Sequence, residues 1–214
     1  MVETTRTPQR TAQRREDILA TARTLFDAEG IAQVTTGRIA QVAGISPGNL
    51  YYWFANKGEI VRALFAQWSA ASALEVGTDD DPEQVLRTLW GQTSVQREVS
   101  DRFGFFAREL FPLLHVDPVL AEQYRANVIG RSARLGELVE TMIDADLLRR
   151  PEPPTTVADL VAVTWLVQET AAPFAAAVGA DVLDPRTAPL VAVLPLLTAR
   201  GRQVLGLGHD GVAR

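Results

Sequence analysis

The chain has 214 residues, 47% of them apolar, with no Cys, two His and two Met. That length can bury a sizeable core, and the missing thiols exclude disulfides, Cys-based zinc sites and iron–sulfur clusters. Net charge is −5, unevenly spread: residues 1–62 hold eight Arg and Lys against six Asp and Glu (+2), whereas 63–214 hold thirteen against twenty (−7). A basic lead-in of Arg6, Arg10, Arg14 and Arg15, offset by Glu3, suits a first segment that meets an anion.

Apolar positions recur at helical spacing, and no alternating run framed by hairpin turns is present, so the expected fold is all-α. The first helix is expected over Thr11–Glu29, with Ile18, Ala22, Leu25 and Phe26 on one stripe and Gly30 as its stop. Thr35 or Thr36 caps a short second helix that turns Ile39, Val42 and Ala43 inward, and Gly44-Ile45 turns the chain. Ser46-Pro47 opens a third helix, SPGNLYYWF, and Asn56 with Glu59 caps a fourth that runs from Lys57 to before Gly77.

Asp81-Pro82 starts one or two helices reaching about His115, Asp117-Pro118 another to Leu148, Thr156 with Asp159 one to Gly179, and Asp184-Pro185 a last one to Leu205. Pro173, Pro189 and Pro195 predict kinks or breaks in the last two. No stretch reads as a signal peptide or as the roughly 18 apolar residues of a membrane span, which points to a cytoplasmic protein with no membrane partner.

The third helix is unlike a core helix. At 100° per residue, Leu50 and Phe54 fall on one side and Gly48 and Tyr52 on the other, flanked by Asn49 and Tyr51. A Gly inside a helix costs stability and suits close approach of another backbone. Tyr and Ser hydroxyls can donate to phosphates, Asn can pair with a base edge, and two short helices joined by a tight turn form a helix-turn-helix.

The run TTGRIAQVAGISPGNLYYWFANKGEIV, beginning at Thr35, resembles the DNA-binding domain of the tetracycline-repressor (TetR) family over roughly residues 10–68. The resemblance implies phosphate contacts from Thr36, Ser46, Tyr51 and Lys57, and base or sugar contacts from Pro47, Gly48, Asn49 and Tyr52. Trp53 stands where the family commonly has His, and its indole N–H would have to make any backbone contact. Gly58 replaces a usual charged residue.

The domains expected on this reading are a basic arm, 1–9, a three-helix helix-turn-helix domain, 10–56, and a larger helical ligand-binding and dimerisation domain, 57–208. Residues 57–76 form its linking helix and 209–214 a tail. The resemblance further implies a homodimer, through about 156–179 and 185–205, on a palindromic DNA operator. A small-molecule effector would shift the fourth helix.

Between Val157 and Val167 apolar residues lie nearly all round the helix, which fits a partner-covered surface or deep burial in one monomeric core. Candidate pocket residues are Trp68, Trp90, Phe103, Phe106, His115, Tyr124, Trp165 and Gln168, with Phe105, Phe174 and Arg108 as further choices.

No cofactor, metal or enzyme activity is expected. His115 with Asp117 lacks a third ligand, and Asp117 is better used as a helix cap. GLGHDG, from Gly206 to Gly211, formally matches a dinucleotide fingerprint but has no strand before it and no helix after it. HExxH and P-loop motifs are absent. A DNA-binding protein of the same fold without an effector pocket is the alternative.

Overall fold

The computed structural model describes residues 8–73, 76–179 and 181–208, apart from the side chains of 8–11, 92–98, 100 and 101. Its helices are α1 (Pro8–Glu29), α2 (Thr36–Val42), α3 (Pro47–Trp53), α4 (Lys57–Ala71), α5 (Pro82–Arg102), α6 (Gly104–Val116), α7 (Pro118–Asp144), α8 (Val157–Val178) and α9 (Ala199–Val204). Among the described residues strand-like pairing is limited to one isolated bridge, Leu148 with Leu197. Residues 1–7 of the expected arm and the 209–214 tail, including His209 and Gly211 of GLGHDG, lie outside the described residues.

The helix starts follow the local chemistry. Thr35 accepts from Arg38 N and Ser46 from Asn49 N, each at 3.1 Å. Asn56 accepts from Glu59 N at 3.0 Å while the Glu59 carboxylate accepts from Ala55 N at 2.8 Å. Thr156 and Asp159 form a full capping box, and Asp117 accepts from Val119 N and Leu120 N. Gly30 ends α1 at φ +82° and Gly44 turns α2 into α3 at φ +64°, conformations that a side chain resists.

The chain divides into two compact units. The first holds the described residues up to Ala71 together with Phe103–Leu120. Its core is Ile18, Leu19, Ala22 and Phe26 of α1 with Ile39, Leu50, Phe54, Ile60, Leu64 and Phe65, all buried. Helix α6 joins this core through Phe105, Phe106 and Leu110. Phe105 meets Phe26 edge-on at 5.7 Å, and Phe106 meets Phe65 at 6.1 Å and Trp68 at 5.9 Å. Polar ties fasten α6 to the end of α1: Glu109 accepts from Ile31 N, and Arg108 donates to the Asp27 carbonyl and carboxylate.

The second unit, Ser72–Arg102 and the residues from Ala121 onward, packs Val85, Leu86, Leu138, Val139, Met142, Leu147, Leu148, Leu160, Val161 and Leu197. One predicted element takes another form. Residues 185–205 are not one helix: Ala188–Ala192 and Leu194–Leu196 are 3-10 turns, and α-helix returns only in α9. Pro189 and Pro195 each lack an N–H and clash with the preceding turn. Asp184, expected as a cap, accepts instead from the backbone and guanidinium of Arg186. Pro173, by contrast, sits inside a continuous α8.

The sequence expectation about membrane-spanning length also needs correction. Helix α8, with 22 residues and a mean hydropathy of 1.3 over its most apolar window, is long and apolar enough to cross a membrane. It nonetheless carries Asp159 in its cap and Glu169 in its body, and Leu160 and Val161 pack on the second core.

Candidate nucleic-acid interface

The surface built by α2 and α3 starts from the side chains that do not pack inward. Leu50 and Phe54 are buried, as the helical phase of α3 requires, and this rotates Tyr51 and Tyr52 to the outside. Tyr52 is 72% exposed and Tyr51 52%, unusual for rings of this size unless something covers them. Arg15 of α1 stacks over the Phe54 ring at 5.0 Å, tying the end of α3 to the first helix.

The hydroxyls are arranged with hydrogens to spare. Thr36 Oγ1 and Tyr51 Oη lie 3.1 Å apart, so one hydroxyl hydrogen joins them and the other is free to donate outward. Ser46 Oγ accepts from Asn49 N, which leaves its own hydrogen available. Pro47 occupies the first turn of α3, where its missing N–H breaks no bond. A methyl group built on Gly48 meets nothing within 4 Å, so no contact inside the protein explains the absence of a side chain there. Asn49 is half-buried beside it.

Two predicted contact residues are engaged internally. Lys57 Nζ donates to the carbonyls of Ile31, Val34 and Ala32, at 2.7, 2.9 and 3.4 Å, and so holds the loop after α1. Trp53 lies edge-on to Tyr52 at 5.2 Å, and its indole nitrogen is shielded and has no acceptor among the described residues.

The predicted pocket residues divide between the units. Trp68, Phe103 and Phe106 are buried in the first, packed on one another's rings, and the exposed His115 ring contacts the Phe111 carbonyl at 2.7 Å. Trp90, Tyr124, Trp165 and Gln168 are half-buried in the second. Phe174 is 52% exposed.

Sequence reasoning missed two charged groups here, Arg131 and Glu169. The Arg131 guanidinium lies over the Trp165 ring at 5.0 Å and donates to the Ser72 carbonyl. Burial pushes the Glu169 carboxyl up to about 7, against the partial offset of the Arg131 charge. Burial and the Glu169 charge raise the Tyr124 phenol. The only sequence signal was a single Glu within a helix as apolar as α8.

The model for bacterial regulatory proteins of the tetR family matches residues 18–64, which span α1 through most of α4. A solved TetR-family transcriptional regulator from Marinobacter aquaeolei superposes with a TM-score of 0.74 and 26% identity, over 90% of this chain and 95% of that one. Residues 18–64 thus match the tetR family, and the fold resembles that of a TetR-family regulator. The uncharacterized HTH-type transcriptional regulator YdeS of Bacillus subtilis is 27% identical over 148 residues, 63% of this chain and 73% of that protein. TtgR of Pseudomonas putida, also an HTH-type transcriptional regulator, is 37% identical over 89 residues, 39% of this chain and 42% of TtgR. TetR-family proteins are transcriptional regulators that bind DNA, and the matched segment carries the α2–α3 surface described above.

Proposed function

We propose that this chain is a TetR-family, ligand-responsive homodimeric repressor that reads a palindromic operator with α3. The observation that carries the reading is the outer face of α3. Two exposed Tyr rings, hydroxyls with hydrogens to spare and an unfilled space over Gly48 lie on one surface. In this reading Ser46, Thr36 and Tyr51 hold phosphates, Gly48 lets the DNA backbone come close, and Asn49, Tyr52 and Pro47 meet bases or sugars. Lys57 acts from behind, by fixing the loop that supports α2. Trp53 acts by packing against Tyr52.

The dimer reading is supported by α8. Val163, Leu166, Phe174 and Val178 follow one another at helical spacing and are 50, 58, 52 and 44% exposed, an apolar stripe that a second copy can cover. Two copies related by a two-fold axis present two α3 helices to a two-fold operator. An effector held in the second unit acts on α6 through the chain that enters it from α5 and leaves it into α7. Because α6 is fastened to α1, its movement repositions the reader. The effector works only by binding one arrangement better than the other.

The test is selection of bound sequences from a random duplex pool, followed by titration of the selected duplex as salt is raised. A palindrome with strongly salt-dependent affinity is the expected result. Tyr51→Phe then weakens all sequences alike, whereas Asn49→Ala relaxes preference at one base position. No enrichment and no binding at low salt would refute the reading.

A further inference from the structure

The second unit concentrates unused hydrogen-bond donors around one guanidinium. Arg131, on α7, has a shielded Nε with no acceptor, and it forms no ion pair among the described residues. Ser72, whose carbonyl takes the other end of the same guanidinium, is 1% exposed, and its hydroxyl is also without a partner among the described residues. The Trp165 ring lies beneath the guanidinium, and Tyr124 neighbours Trp165. Native interiors leave few such groups unpaired, and burying an unpaired cation is costlier still. These groups come from three separate stretches of chain, around residues 72, 124–131 and 165, and both Arg131 Nε and the Ser72 hydroxyl have a hydrogen left to donate.

We infer that this cluster is the seat of the effector's anionic group, with Arg131 and Ser72 holding a carboxylate or similar anion and Trp165 and Tyr124 flanking a flat apolar body. This rests on the ligand-responsive reading above and gives that ligand a chemical class. Arg is suited to the task because its planar fork holds a carboxylate while its face stays on an indole. Glu169 shares the neighbourhood as a competing carboxyl, and burial raises its pKa to about 7, so at neutral pH it is only partly charged and leaves the guanidinium incompletely offset. Burial also lowers the pKa of Arg131 itself, the mark of a cation held without full compensation.

The test uses the full chain and a matched pair of probes, 1-naphthoate and its neutral amide 1-naphthamide, read by thermal melting and by Trp fluorescence. Naphthoate is expected to raise the melting temperature and naphthamide to leave it in place. Arg131→Gln should weaken naphthoate by about tenfold or more. Ser72→Ala, which removes a hydroxyl bonded to nothing among the described residues and so spares the fold, should weaken it by about threefold. Glu169→Gln should strengthen it.

Equal responses to the two probes, no response to either, or wild-type affinity in both the Arg131 and Ser72 variants would overturn the inference. The selected duplex is titrated in parallel. Duplex binding without a naphthoate response sinks this inference alone, and failure of duplex binding sinks the regulator reading.

Discussion

Gly48→Ala separates the demands of the fold from those of the proposed partner. Gly48 lies in the first turn of α3, directly after Pro47, and a Cβ placed on it meets no atom within 4 Å. Nothing in the folded chain therefore opposes the substitution, and the lost backbone freedom of the unfolded state favours it. A Gly-to-Ala change inside a helix is worth roughly 0.5–1 kcal/mol, and a first-turn position takes the lower end. About 0.5 kcal/mol raises the melting temperature of a protein this size by about 1–2 °C. If the DNA backbone approaches α3 at this position, the added methyl pushes it away and loosens the neighbouring contacts. A loss of about 1–3 kcal/mol, the scale of one misplaced base contact, corresponds to about 5- to 150-fold in affinity. Fluorescence anisotropy on the selected duplex and a thermal melt of the same preparation give both numbers. The reasoning fails if affinity stays at the wild-type value while the melting temperature rises, because Gly48 would then not mark a close approach.

The remaining predictions concern the supports of the site and the dimer. Lys57→Met removes a cation bonded to three carbonyls and should cost about 1–3 kcal/mol in denaturant unfolding; if Lys57 instead grips phosphate, the salt slope of duplex binding falls by about one while stability holds. Leu166→Glu sets a charge in the α8 stripe and should turn a dimer into a monomer by light scattering at micromolar concentration; an unchanged mass would refute that interface. Asp117 is pushed upward by burial, but hydrogen bonds from Leu120, Arg62 and Val119 and the Arg62 charge outweigh this and hold its carboxyl below the ordinary 3.8. Its folded pKa is thus depressed, so its contribution is whole above the unfolded value and is lost as pH falls through the folded one. Asp117→Asn should therefore cost about 1 kcal/mol at pH 7 and nothing once the pH is well below the depressed folded pKa, as compared by urea melts.

Local chemistry in the sequence determined most of the helix starts and the phase of the reading helix. Caps such as Thr35, Ser46, Asp117 and Thr156 act over three residues, so spacing alone reveals them, and burying Leu50 and Phe54 forces Tyr51 and Tyr52 outward whatever else the chain does. Asp184 with Pro185 carried the same signal without a helix, because Pro189 and Pro195 interrupt the segment before a second turn can close. What only the tertiary structure decided are relations across many residues. The Phe105 and Phe106 rings send α6 into the first unit, although α6 lies more than thirty residues along the chain from α4. Lys57 turns to the loop carbonyls, and Thr36 meets Tyr51 fifteen residues away. Ser72, Arg131 and Trp165 converge from separate stretches of chain. Such contacts depend on which apolar faces pack together, and a side chain's neighbours across the core leave no periodicity in its own segment.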